Sequence, residues 1–142
     1  MAQGRQKQMA VSFRFAPSVV EHLRRHAAER GAAQTELAQR YIEEGLRRDE
    51  HPQIYFREGE AGRRPALLGS RLDVADVIST IRQSDNSEQE AADFLEIPVE
   101  QVEAALGYYV DFKDEIDAWS QRVQAIAERE RERWRRRQEA LS

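Results

Sequence analysis

A short segment near the N-terminus limits the possible folds more than any other part of the chain. Its sequence Met-Ala-Val-Ser-Phe-Arg-Phe places Val11, Phe13 and Phe15 in alternation with Ser12 and Arg14, a period of two that predicts a β-strand with one apolar face. The next segments have helical periodicity and offer this strand no partner, so its backbone N–H and C=O groups need another chain. We therefore expect a homodimer in which two copies form an antiparallel ribbon. The alternative is an edge strand of a larger sheet.

The charge distribution favours this end of the chain for contact with a polyanion. Residues 1–34 carry six basic and two acidic side chains, a net charge of +4, whereas residues 51–112 carry five basic and twelve acidic ones, a net charge of −7. Residues 1–8 are polar, contain Arg5 and Lys7, and indicate a flexible basic arm. On a two-stranded ribbon, Ser12 and Arg14 of both copies would face outward, and such a ribbon fits the major groove of DNA.

Two helices should follow the strand. Pro17 suits the first position of a helix, and Ser18 with Glu21 offers a capping box as an alternative start. Gly31 is typical of a left-handed helix stop. The second helix is predicted over about 33–48. The apolar residues of the first helix are Val19, Val20, Leu23 and Ala27, and those of the second are Leu37, Ala38, Tyr41, Ile42 and Leu46.

Residues 9–48 resemble a ribbon-helix-helix domain of the Arc/CopG type. The resemblance rests on Val-Ser-Phe-Arg-Phe, on Pro-Ser-Val-Val opening the first helix, and on the glycine between the helices. It implies a dimerisation and DNA-binding domain over residues 9–50. The residues that it implies for DNA contact are Ala10, Ser12 and Arg14 on the strand and Gln34 and Thr35 at the phosphate-binding start of the second helix. Many members have Ser or Thr at the cap position where this chain has Ala33.

A second unit begins at the sequence His-Pro after residue 50. Residues 54–57 and 65–68 are predicted to form two short strands around a Gly-containing loop. Apolar spacing then predicts helices through Val74 to Ile81, and after a capping box of Ser87 and Glu90. A further helix is predicted from Pro98 to Asp117 and onward without a break, and the last two make a helix-turn-helix candidate.

Residues 51–117 resemble a small winged-helix-like domain of unknown function that is frequent in putative bacterial antitoxins. The sequences that carry the resemblance are His-Pro-Gln-Ile, Gly-Ser-Arg-Leu with Asp-Val, Val-Glu-Ala-Ala-Leu-Gly-Tyr-Tyr and Glu-Ile-Asp. The predicted helix from residue 98 to 117 carries only Lys113 as a base, against seven acids counted from Glu96. Because this charge repels phosphates, we expect residues 51–112 to be a scaffold or protein-interaction module.

The C-terminal segment, residues 113–142, is predicted to be a long charged helix. Ile116, Trp119, Val123 and Ile126 have the spacing of a coiled-coil seam, after which residues 128–137 alternate Glu and Arg around one tryptophan. One interpretation is a solvated helix with internal ion pairs. The other is a segment that docks on a partner. The residues predicted to bind that partner are Trp119, Arg133, Trp134, Arg136 and Arg137.

Several functions are disfavoured by what the sequence lacks. The chain has no cysteine, which excludes disulfides and thiolate metal sites and suits a reducing cytoplasm. No apolar run approaches a signal sequence or a membrane span, and no phosphate loop, metal-ligand spacing or nucleophile–base pair is present. His22 and His26 share a helix face without a third ligand. We therefore expect a cytoplasmic protein that is not an enzyme and has no cofactor or membrane partner.

Two functions remain open at this point. The first is a homodimeric antitoxin of a type II toxin–antitoxin system, which binds operator DNA and neutralises a toxin through its C-terminal part. The resemblance of residues 51–117 implies a PIN-like ribonuclease as that toxin. The second is a stand-alone ribbon-helix-helix transcriptional repressor whose second domain senses a ligand. The overall fold class expected from the sequence is mainly α with short β-strands.

Overall fold

A computed structural model of the chain describes residues 7–142 and separates them into two compact units, which divide between residues 50 and 51. Most of the predicted basic arm, residues 1–8, lies outside the described residues. The described part contains six helices and one two-stranded antiparallel sheet, so the mainly α class with short strands is confirmed. No helix among these residues is long and apolar enough to cross a membrane.

The N-terminal unit contains two helices, α1 (Pro17–Arg30) and α2 (Gln34–Glu50). Pro17 occupies the first turn of α1, as predicted, and Gly31 ends the helix with φ 62°. The alternative capping box of Ser18 and Glu21 is wrong, because Ala16 is the N-cap and its carbonyl accepts from Val19 N and Val20 N. The helix therefore begins two residues too early for Ser18 to cap it.

Residues 7–16 have no regular secondary structure in a single chain. Val11, Phe13 and Phe15 are all exposed there, and the Phe13 and Phe15 rings lie 6.0 Å apart. A strand needs hydrogen-bonding partners, and the described part of one copy supplies none for this segment. The ribbon is expected to form between two copies of the chain, and it stays a prediction.

The C-terminal unit opens with the hairpin β1 (Ile54–Arg57) and β2 (Arg64–Leu67), which pair antiparallel with Ile54 opposite Leu67. The second strand begins one residue earlier than predicted. Four helices follow the hairpin in chain order. They are α3 (Val74–Gln83), α4 (Glu88–Leu95), α5 (Val99–Asp111) and α6 (Lys113–Leu141).

One apolar core joins the hairpin to these helices. Val74, Val77, Ile78 and Ile81 of α3 are all buried, as their spacing predicted. The largest fully buried side chain is Tyr108 of α5. The hairpin and the helices after it thus enclose an apolar core. The described part of the N-terminal unit has a much smaller core, because only Ala27 and Leu37 are buried there.

The prediction of one uninterrupted helix from Pro98 through the C-terminal segment is wrong. Phe112 adopts φ −130° and ψ 38° and separates α5 from α6. Its ring packs 4.6 Å from that of Tyr108. It also lies 6.1 Å from the ring of His51, and the backbone leaves the helical conformation at this one residue.

Candidate nucleic-acid and partner interfaces

The side chains predicted to read DNA are exposed in the single chain. Ala10, Ser12 and Arg14 lie on the irregular segment before α1. Gln34 and Thr35 are the first two residues of α2 and are also exposed. The carbonyl of Ala33 accepts from Leu37 N, so Ala33 caps the helix without a polar side chain. The first backbone N–H groups of α2 thus have no partner within the helix, which is a favourable place for an anion.

The N-terminal unit leaves most of its apolar surface uncovered. Besides the four large apolar residues of segment 9–15, four large apolar side chains of the two helices are exposed. These are Val19, Tyr41, Ile42 and Leu46. A unit that buries only Ala27 and Leu37 lacks the core that a stable domain of this size needs.

The helices of this unit are linked by a small polar cluster. Arg30 Nη1 lies 3.0 Å from His26 Nδ1 and donates a hydrogen bond of 3.3 Å to the Tyr41 hydroxyl. His26 therefore has a contact within the protein. No group of three or more metal-ligating side chains occurs in residues 7–142.

A short turn joins α4 to α5, the two helices that the sequence made a helix-turn-helix candidate. Glu96 takes the left-handed conformation at φ 57° and ends α4. Ser87 caps the start of α4, where its hydroxyl accepts from Glu90 N at 3.1 Å. The side chains Glu100, Glu103 and Asp111 of α5 are exposed, so this helix presents negative charge to solvent.

A polar network absent from the sequence-based prediction fixes α6 against α3 and α5. Arg82 donates to the Tyr109 hydroxyl at 2.6 Å, and that hydroxyl donates to Asp117 at 2.7 Å. Lys113 Nζ lies 2.6 Å from the second oxygen of Asp117. The hydrogen bond from Lys113 holds the pKa of Asp117 below its usual value, and the same bond raises the pKa of Lys113. Only the i, i+4 spacing of Lys113 and Asp117 was visible in the sequence.

A second cluster holds the start of α3 against the hairpin. Arg64 Nε lies 2.8 Å from a carboxylate oxygen of Asp73, and Arg57 Nη1 lies 3.5 Å from the other. The backbone N–H of Asp73 donates to Asp76 at 3.2 Å. Loss of water around Asp76 raises the pKa of this carboxyl, and the bond from Asp73 N opposes that change.

Trp119 lies within this unit rather than on its surface. Its ring is 6% exposed, and the guanidinium carbon of Arg64 lies 5.9 Å from the ring centroid. Arg122 approaches the same ring at 5.5 Å. Trp119 thus contributes to the packing of α6 on its own unit, and a contact with another molecule stays a prediction.

The last part of α6 presents the remaining predicted partner-binding residues. Trp134 is 64% exposed. Arg133 pairs with Glu130 at 3.5 Å and Arg136 with Glu132 at 3.3 Å. Arg137 has no ion pair among the described residues. The internal pairs expected for a solvated helix are therefore present, whereas Trp134 is uncovered.

Comparisons of the chain with protein families, with curated proteins and with solved structures found no match.

Proposed function

We propose that this chain is the antitoxin of a type II toxin–antitoxin system. It would bind operator DNA as a homodimer through its N-terminal unit and neutralise a PIN-like ribonuclease toxin through its C-terminal part. The observation that carries the proposal is the unfinished core of the N-terminal unit. The DNA reading and the toxin class come from the sequence resemblances.

The unfinished core calls for a second copy of the chain. Val11, Phe13 and Phe15 are exposed on the segment before α1, and Tyr41, Ile42 and Leu46 are exposed on α2. Pairing of two such segments as an antiparallel ribbon satisfies their backbone groups and lays the apolar face on the helices. The burial of one apolar side chain of this size contributes roughly 1.5–3 kcal/mol.

The opposite face of the same ribbon has the chemistry for reading DNA. Ser12 and Arg14 alternate with the apolar residues, so both would point away from the helices in each copy. An arginine can donate two hydrogen bonds to guanine in the major groove. The positive end of α2 at Gln34 would meet a neighbouring phosphate.

The C-terminal part carries the surface proposed to bind the toxin. Residues 120–142 carry seven arginines and four glutamates, and the exposed Trp134 lies among them. A ribonuclease that binds metal through clustered carboxylates offers an acidic surface to such a helix.

The test of the DNA-binding part is the variant Arg14→Ala in the full chain. We expect it to lose at least about 30-fold in affinity for a duplex taken from the DNA upstream of its own coding sequence, because each lost guanine contact costs about 1–3 kcal/mol and a dimer loses two. Fluorescence anisotropy titration at fixed salt measures this loss. Circular dichroism should be unchanged.

The charge-matched control is Arg48→Ala. Arg48 lies near the end of α2, roughly 20 Å along the helix from Gln34, and its removal changes the net charge equally. It should leave affinity almost unchanged. Equal losses in both variants would mean that only net charge matters, and a wild-type chain that sediments as a monomer and ignores DNA would refute the proposal.

A further inference from the structure

One stripe of α6 continues beyond the unit on which the helix is packed. With about 100° between successive residues, eight side chains of α6 lie within about 40° of one common direction. They are Ile116, Trp119, Val123, Ala127, Glu130, Trp134, Arg137 and Leu141. Ile116 and Trp119 are 2% and 6% exposed, so the first part of the stripe is covered by the chain's own fold.

The rest of the stripe is uncovered, and four of its six residues are apolar, as in the seam of a coiled coil. From Val123 onward its members are separated by 4, 3, 4, 3 and 4 residues. Val123 is 42%, Trp134 64% and Leu141 83% exposed. An isolated helix exposing such a stripe gains stability when a second helix covers it.

We propose that residues 123–141 of α6 pair in antiparallel orientation with the same residues of a second copy of the chain. The charges make the seam complementary to a second copy of itself when the two helices are antiparallel. In a parallel pair each seam residue faces its own copy, so Glu130 would face Glu130 and Arg137 would face Arg137. Facing like charges destabilise such a pair.

The antiparallel pair relieves both repulsions. When the seam is reversed, Val123 lies opposite Leu141, Ala127 opposite Arg137 and Glu130 opposite Trp134. The small side chain of Ala127 leaves room for Arg137 of the second copy, one seam layer from Glu130. Arg137, which lacks an ion pair within the described part of one chain, would thereby gain a carboxylate.

This pair does not depend on the proposed DNA binding, and it adds a condition to the proposed toxin binding. The pair covers Trp134 in the free protein. A partner that uses Trp134 as an anchor would have to separate the two helices first.

The absence of cysteine from the sequence allows a direct test of the register. The variant Val123→Cys/Leu141→Cys is made in the full chain and oxidised, and the linked peptides are identified by mass spectrometry. The two positions are about 27 Å apart along one helix, whereas a disulfide needs Cα atoms within about 7 Å. A link between residues 123 and 141 therefore has to join two chains.

The matched control is Gln121→Cys/Glu139→Cys. These positions are also 18 residues apart, are exposed, and lie on the opposite face of α6. We expect the 123–141 link to dominate in the seam variant and the control to link only slowly. Links of 123 to 123 and 141 to 141, or equal linking in both variants, would overturn the proposal.

A charge exchange in the same cysteine background gives a second measurement. Glu130→Arg should reduce the linked fraction, because it places two bases at neighbouring seam layers. Adding Arg137→Glu should restore it, since the exchanged pair has the original complementarity. A linked fraction that ignores both changes would also overturn the proposal. Circular dichroism of each variant confirms that α6 is still helical.

Discussion

Asp117 connects the beginning of a long helix, α6, to the helix before it. It accepts from the Tyr109 hydroxyl across the break at Phe112, and Arg82 of α3 donates to the same hydroxyl. Lys113 contacts its second oxygen. Each oxygen of the carboxylate thus has a partner from a different position. The network connects α3, α5 and the first turn of α6, which is why α6 has a defined start.

The lowered pKa of Asp117 predicts a pH-dependent contribution to stability. A carboxyl whose pKa is lower in the folded state stabilises the fold above its unfolded value of about 3.9, and that contribution disappears as the pH falls through the folded value. We therefore expect Asp117→Asn to lower the urea midpoint at pH 7 and to differ less from wild type at pH 3. Circular dichroism in urea at both pH values measures this.

Glu103→Gln is the control for that comparison, because Glu103 is exposed and its side chain has no hydrogen bond or ion pair in residues 7–142. It should leave the midpoint within error at both pH values. A difference for Asp117→Asn that stays constant down to pH 3 would mean that the loss comes from packing and not from the charge.

The start of α4 allows a prediction for a whole element. Ser87 Oγ accepts from Glu90 N at 3.1 Å and satisfies one of the free N–H groups of this eight-residue helix. Ser87→Ala should lower the free energy of unfolding by about 1 kcal/mol. Ser79→Ala is the control, because Ser79 lies exposed on α3 and contacts only Gln83. Guanidinium unfolding of both variants is the measurement, and equal costs would exclude capping as the cause.

Apolar spacing correctly predicted a helix whose buried side chains all lie on one of its faces. Val74, Val77, Ile78 and Ile81 have the spacing of one helix face and are buried together. The hairpin was predicted to within one residue because its strands are separated by a glycine-containing loop.

The break between α5 and α6 could not be read from spacing. Tyr109 and Ile116 continue one apolar periodicity across it, so the pattern alone favours a continuous helix. The Phe112 ring contacts His51, 61 residues earlier in the chain, and this tertiary contact is not visible in the spacing. Trp119 is a similar case, because its spacing fits a surface seam equally well, and its burial beside Arg64 of the hairpin shows only in the folded unit.

At the scale of the whole molecule, the two units differ in how many apolar side chains each buries within one chain. Residues 51–119 enclose Tyr108, Ile54 and Leu67 within one chain. The N-terminal unit encloses Ala27 and Leu37 and leaves Phe13 and Phe15 exposed. The alternation in the sequence therefore predicts the proposed DNA-reading face. A single chain does not form this face, because the ribbon requires backbone hydrogen bonds from another copy.

The last prediction concerns a chain that ends at Ser120, which should separate the DNA binding proposed for one unit from the toxin binding proposed for the other. This truncation keeps Ile116 and Trp119, the two buried residues of α6, and removes the part whose large apolar side chains Val123 and Trp134 are exposed. It should therefore fold, dimerise through the N-terminal unit and bind DNA as the full chain does. It should fail to neutralise the toxin encoded beside its gene, because the arginine-rich surface around Trp134 is absent. Growth of cells that co-express the toxin with either chain measures neutralisation, and anisotropy confirms DNA binding. Equal rescue by both chains would show that the end of α6 is only a solvated charged helix.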